Sequence, residues 1–550
     1  QASDLQALND DSLAGSLGFG QGVDLGDWLN GSTGKDGRVP GIQLEGIDIR
    51  IDRELFADAL DGSLEVRNSS IAVGGAEESE ARLTLTGDAV TIGEGSFLHA
   101  QGRDGGGLIE VGGSWQNSDK TVRQATTAVV EAGAVLDASA DREGDGGEIV
   151  VWSDITNSLS RTIVAGRLAA QGGVLKGNGG RIETSGFHLE IPGIQINTKA
   201  APDYVGGEWL IDPYEYVINP GPAATAVQNA LIAGTDVIIS TLEPSFEAGT
   251  SAINGAEVST GSIVVNAGPA IPADNASTGT LTLISDGNIS IASGAEFDNP
   301  SGSGGLILDA QGQIIVDGNI TWSPGVLGSV GLSGKEVVGT GLLSVGSGSL
   351  DINVDMNSSP AAFVGVIELG DGVDLNKNGE GEFSIAPYQG NYSYNRIQNI
   401  VLNKGRLRLS SAALAGPDLA AYSGSIFFRG GEIAHENQDL SFSYSTEAGQ
   451  QFKIRVPAGA AYSTSLQSNG GSLELLEGSL NLRAANTYDG ATTVGDGVLS
   501  VTGSLNDNSS VYVSEGATYE VGADDAVGSI AGDGLISLGG NQLSVGGLDV

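Results

Sequence analysis

Between Asp371 and Glu382 the sequence sets oxygen-bearing side chains at alternate positions: Asp374, Asn376 and Asn378 lead into Gly379, with Asp371, Glu380 and Glu382 close by. Carboxylate and amide oxygens two residues apart, followed by a glycine for a sharp turn, make the first half of a calcium-binding loop. The bidentate Glu that would complete such a loop falls on Ile385 instead. The same residues also read as an Asx-rich turn that bonds its own backbone. Ca2+ is therefore the one cofactor these residues suggest.

A second concentration of chemistry lies between Phe383 and Tyr462. It holds 11 of the chain's 29 aromatic residues, with seven Lys or Arg against five acids, inside a chain of net charge −43. Tyr388, Tyr392 and Tyr394 stand next to Arg396, and Arg406 and Arg408 follow. Tyrosine rings stack on sugars, and guanidinium forks meet carboxylates or sulfates, which is the chemistry of a shallow polysaccharide site. The bland alternative is an ordinary aromatic core.

Other chemistries are disfavoured. With 25 Lys and Arg against 68 Asp and Glu, the chain lacks the clustered cations that neutralise phosphates, so nucleic acid is not expected as a partner. No cysteine and only three histidines, His99, His188 and His435, leave no thiolate site and little for zinc. Phosphate-binding loops, the nucleophile elbow and the His-Glu-x-x-His zinc motif are absent from the sequence. The reading is a non-enzyme, although abundant Asp keeps a β-helical polysaccharide lyase or hydrolase open as an alternative.

The elements that must carry these residues are legible in repeats. Asp104-Gly-Gly-Gly-Leu-Ile-Glu-Val returns as Asp145-Gly-Gly-Glu-Ile-Val-Val and again as Gly177-Asn-Gly-Gly-Arg-Ile-Glu-Thr, so that Gly107, Gly147 and Gly180 are spaced by 40 and then 33 residues. Leu281-Thr-Leu-Ile-Ser is followed 25 residues later by Leu306-Ile-Leu-Asp-Ala. Short apolar runs of alternating polarity, broken by Gly, Asn and Asp, predict an all-β fold, a right-handed parallel β-helix drawn out as a rod, with one to two coils per repeat. In that fold Ile149 and Ile182 face inward. The 87 glycines among 550 residues suit coil corners and oppose helices. Helix is expected only at Asp52–Leu60 and at Thr225–Ala233, the latter stopped by Gly234. Asp212-Pro213 reads as a turn, and Trp152 and Trp209 as core packing at the rod's side or a lateral extension.

Three segments, Asp145-Gly-Gly-Glu-Ile-Val-Val-Trp-Ser-Asp, Gly177-Asn-Gly-Gly-Arg-Ile-Glu-Thr-Ser-Gly and Gly207-Glu-Trp-Leu-Ile-Asp-Pro, together resemble the filamentous-haemagglutinin-type exoproteins of two-partner secretion across about residues 80 to 245. Near the other end, Asn486-Thr-Tyr-Asp-Gly-Ala-Thr-Thr-Val-Gly-Asp-Gly-Val-Leu-Ser-Val resembles the passenger-associated β-strand repeat of autotransporters. The resemblance implies a secreted bacterial adhesin on the cell surface, exported through an outer-membrane transporter partner. The secretion domain of that family is not recognisable, and the chain is read as a middle fragment and a monomer. The expected organisation is β-helix coils with a short helix (1–80), regular coils (81–206), an extra-helical insertion (207–265), coils (266–382), the aromatic and basic island (383–462) and passenger-like coils (463–550). The expected function is an adhesin stalk that attaches to polysaccharide or cell-surface glycan in biofilm, with a purely structural spacer as the second possibility.

Overall fold

A computed structural model describes residues 5–6, 41–51, 54–74, 81–102, 104–241, 261–271, 277–299, 302–325, 328–355, 362–386, 396–410, 424–436, 442–456, 461–468 and 470–546. The chain divides into two compact units: Gln1–Ile289 with Ser301–Gly305, and Ser290–Pro300 with Leu306–Val550. Both are stacks of short parallel strands, so the fold is an all-β parallel β-helix.

Up to Asn197 each coil of the first unit lays one strand on each of three sheets. The long sheet stacks Glu54–Asp58, Arg82–Thr86, Leu108–Val111, Glu148–Trp152, Arg181–Gly186, Glu208–Pro213, Asp236–Ser240 and Leu281–Ser285, every neighbour parallel. A second sheet runs from Ile42–Glu45 to His188–Glu190 and a third from Asp48–Ile51 to Gln195–Asn197. Successive side chains of a strand point to opposite faces, so in-register pairing converts alternation in sequence into columns in space. Leu83, Ile109, Ile149, Ile182, Trp209 and Val237 make one interior column, all fully buried.

The two long repeats are single coils, not pairs. Leu108 lies opposite Glu148, 40 positions on, and Glu148 opposite Arg181, 33 on. The longer one carries an excursion, residues 112–126, between Leu108–Val111 and Thr127–Val130. The paired glycines have a steric cause. A Cβ on Gly147 would lie 2.0 Å from the Gly107 carbonyl oxygen, one on Gly180 2.1 Å from that of Gly147, and one on Gly207 2.0 Å from that of Gly180. Coils approach there backbone to backbone, closer than any side chain permits.

The second unit repeats the scheme with shorter coils. One sheet stacks Leu306–Ala310 through Asp374–Asn378 to Leu466–Ser468, and another Glu382–Ile385 through Arg406–Ser410 to Ser529–Gly532. Near its end Ser510 pairs with Ser529, a coil of only 19 residues.

Three expectations on local structure change. The first expected helix is a strand, Glu54–Asp58, whose Leu55 and Ala57 are buried by period two, not by helical spacing. Asp212 and Pro213 end a strand instead of making a turn, and Trp209 belongs to a regular coil, not to an insertion. The second expected helix is present as Pro222–Ile232, and Gly234 follows it at φ +85°. Among the described residues no helix is long and apolar enough to cross a membrane.

Candidate functional site

The oxygen-rich segment is a strand, Asp374–Asn378, and not a loop. Alternation sends Leu375 and Lys377 inward and leaves Asp374, Asn376 and Asn378 on the outer face. There Asn376 Nδ2 donates to Asp351 Oδ1 at 2.7 Å, and Asn378 Oδ1 accepts from Asn403 Nδ2 at 2.9 Å. Gly379 does make the sharp turn, at φ +72°. The cation at this turn is internal. Lys377 is fully buried, and its Nζ donates to the carbonyl oxygens of Asn378, Gly379 (3.0 Å) and Lys404 (3.3 Å). Desolvation holds this ammonium down to about pH 8. Asp371 accepts a long bond from Gln398, Glu380 pairs with Lys404 at the surface, and Glu382 is taken by two arginines. The calcium loop read from the spacing is thus a strand end whose backbone carbonyls face a lysine. Among the described residues no group of three or more His, Asp or Glu side chains stands ready for a metal ion.

The aromatic and basic island is built into coils. Phe383, Phe428, Tyr444 and Phe452 are buried inside the second unit, with Phe428 against Phe452 edge-on at 5.4 Å and against Tyr444 at 5.9 Å. Its arginines form a ladder on the outer face of the neighbouring sheet. Glu382 accepts from Arg406 (2.9 Å) and Arg408 (2.7 Å), and Glu432 is shared by Arg406 and Arg455 (2.8 Å). Arg455 reaches on to Glu477 (2.6 Å). Arg406 and Arg408 are therefore occupied by carboxylates of their own unit. Arg396 is exposed, its backbone bridged to the strand holding Glu368. Tyr388, Tyr392 and Tyr394 lie outside the described residues.

A third arrangement was not read from the sequence. On the outer face of the first unit's long sheet, Glu110, Val150 and Glu183 stand in one column and Trp152, Ser185 and Asp212 in the next. The excursion 112–126 folds across them, so these outward side chains are buried as deeply as the interior. Trp152 and Trp209 are both fully buried, as the core-packing reading requires; Trp152 Nε1 donates to Gln124 of the excursion (2.9 Å) and Trp209 Nε1 to Thr184 inside the coil (3.1 Å). Glu110 binds Arg82 at 2.9 Å. Glu183 instead accepts the backbone N–H of Gln116 and the hydroxyl of Ser185, both at 2.9 Å, and burial pushes its carboxyl up to about 8. Burial alone moves Asp212 up to about 7. Beside this face opens a groove of about 610 Å³, floored by the paired glycines and edged by Arg82, Glu148, Arg181 and Glu208. No local pattern in the sequence marks Glu183, because the residues that cover it, 112–126, come some 60 positions earlier in the chain.

No family model and no curated protein sequence matches this chain.

Proposed function

We propose that this chain is a non-catalytic segment of a secreted bacterial adhesin, displayed at the cell surface and attaching to exopolysaccharide or cell-surface glycan. The observation that carries the reading is the allocation of the chain. Strand after strand stacks in register to build a scaffold, and the interior of each unit is filled with aliphatic and aromatic side chains. A periodic scaffold of this kind holds outward side chains at fixed intervals, which suits repeated weak contacts to a polymer. The sequence resemblance to two-partner-secretion exoproteins and to autotransporter passengers supports the same reading, with export through an outer-membrane barrel.

Because Arg406 and Arg408 are held by carboxylates, polysaccharide contact in the island falls to Arg396 and the tyrosines beside it. The test is binding of the chain to isolated biofilm polysaccharide and to a glycan array, comparing the parent with Arg396→Ala and with Tyr392→Ala. Saturable, salt-sensitive binding weakened by either change supports the adhesin. Absence of binding to every glycan leaves the spacer, and release of reducing ends or unsaturated products would establish the enzyme.

A further inference from the structure

We propose that residues 112–126 are a strap whose closure over the first unit's long sheet is governed by the protonation of Glu183: closed while the carboxyl holds its proton, released when it ionises.

The geometry is that of a strained segment held at few points. The strap leaves the sheet at Gly112 and returns at Ala125, whose N–H donates to the Gly112 carbonyl at 2.7 Å. At its crest Gln116 (φ 45°, ψ 34°) and Asn117 (φ 51°) are two successive non-glycine residues in the left-handed region. Each costs of order 1 kcal/mol and persists only where surroundings impose it. What imposes it here is Glu183, whose carboxyl oxygen Oε2 receives the N–H of Gln116 itself. The other anchors are the Arg181 guanidinium over the Trp115 ring at 4.2 Å, Asp119 on Arg82 at 3.3 Å, Gln124 on Trp152, and Arg123 beside Asp58 at 3.5 Å. Closed, the strap seals Val150, Trp152 and Ile155 from water.

The charges around Glu183 explain why it acts as the latch. On its own strand stands Arg181, engaged by Glu148 and by Trp115; on the neighbouring strands stand Glu148, Glu110 with its partner Arg82, Asp212 and Glu208; on the strap stands Asp119, turned to Arg82. Among the described residues Glu183 thus has two neutral donors and no cation in contact, while Asp212 and Glu148 oppose its charge. Ionised in a dry site, it is relieved by admitting water, and the piece able to move is the strap. Burial places the change at about pH 8. A proton held by the closed form and lost by the open one makes closure weaken about tenfold per pH unit between the ordinary carboxyl value of 4.5 and that point, and no further above it.

Hydrogen exchange of the whole chain between pH 6 and 9.5, corrected for intrinsic amide rates, decides the matter on the peptide spanning 112–126. In the parent its protection should fall about tenfold per unit up to a break at about pH 8 and be level above it. Glu183→Gln keeps the acceptor for the Gln116 N–H without a titrating proton, so its protection should be level throughout. Ser185→Ala removes a donor to the ionised form and should move the break to higher pH, whereas mere loosening would move it lower. The proposal is overturned by a level profile in the parent, by an unchanged break in a folded Glu183→Gln, or by a downward shift in Ser185→Ala. Should Glu183→Gln fail to fold, the direction of the Ser185→Ala shift settles it.

Discussion

Both units carry carboxylates on the outer face of a parallel sheet, yet they treat them in opposite ways. In the second unit Glu382, Glu432 and Glu477 interleave with Arg406, Arg408 and Arg455, so each carboxylate removed from water meets a guanidinium. In the first unit Glu183 and Asp212 are sealed under or beside the strap with no cation in contact among the described residues, and burial drives both upward. The same backbone register thus yields a paired ladder in one place and proton-holding acids in another. What decides between them is whether the next coil supplies an opposite charge at the matching position, and whether extra chain excludes water from above.

The interior should show no such contrast, and breaking it should have the largest effect. Ile182→Asp in the first unit and Leu407→Asp in the second each place an unpaired carboxylate at a fully buried position. Each is expected to cost several kcal/mol and to abolish the melting transition of its own unit. A parent-like melt for either would show that the interior columns are misassigned.

Lys377→Met comes next. It leaves the carbonyl oxygens of Asn378, Gly379 and Lys404 without their donor, at about 2 kcal/mol by chemical denaturation. A gain in stability instead would mean that burying the ammonium costs more than its three bonds return. The lysine also separates the units by pH. Its folded value is depressed, so its contribution is present above the ordinary 10.5 and lost as pH falls to about 8.

Glu432→Ala sharpens the comparison directly. Two arginines lose a shared partner, and with Arg406 31% and Arg455 23% exposed the expected loss is about 2 kcal/mol, between the values for open and buried pairs. At the small end, Glu380→Gln removes an exposed pair with Lys404 and should change stability by less than about 0.5 kcal/mol. If Glu380→Gln costs as much as Glu432→Ala, burial is not what distinguishes the ladder.

Much of the scaffold could be read from residues alone because the physics is periodic. The spacing from Gly107 to Gly147 to Gly180 reports backbone contact between successive coils, and Ile149 and Ile182 fall inward by simple alternation. The oxygen-rich segment misled because ligand spacing and strand alternation share a period of two. Asp374, Asn376 and Asn378 match both, and the buried Leu375 and Lys377 between them were the sign of a strand. Asp52–Leu60 misled in the same way, its apolar residues compatible with either period until neighbouring coils select one. Glu183 was illegible as a site because its burial depends on residues 112–126 crossing a strand some 60 positions later in the chain, a contact no local pattern records. The island's net positive charge was real, but composition does not tell free arginines from those already paired across coils.

The central claim is that an outward carboxyl without a cation makes the first unit lose stability as pH rises. The folded value of Glu183, about 8, lies above its ordinary 4.5, so the folded state holds a proton that the unfolded state releases between those limits. Its contribution is complete below pH 4.5 and lost as pH rises through 8; Asp212 adds the same sign between 3.8 and about 7. Denaturant unfolding of the parent and of Glu183→Gln at half-unit steps from pH 5 to 9 measures this directly. The account predicts that the first unit of the parent weakens steadily up to about pH 8, and that the variant weakens less, so the difference between them swings in the variant's favour as pH rises. Parallel pH profiles for the two proteins would contradict it.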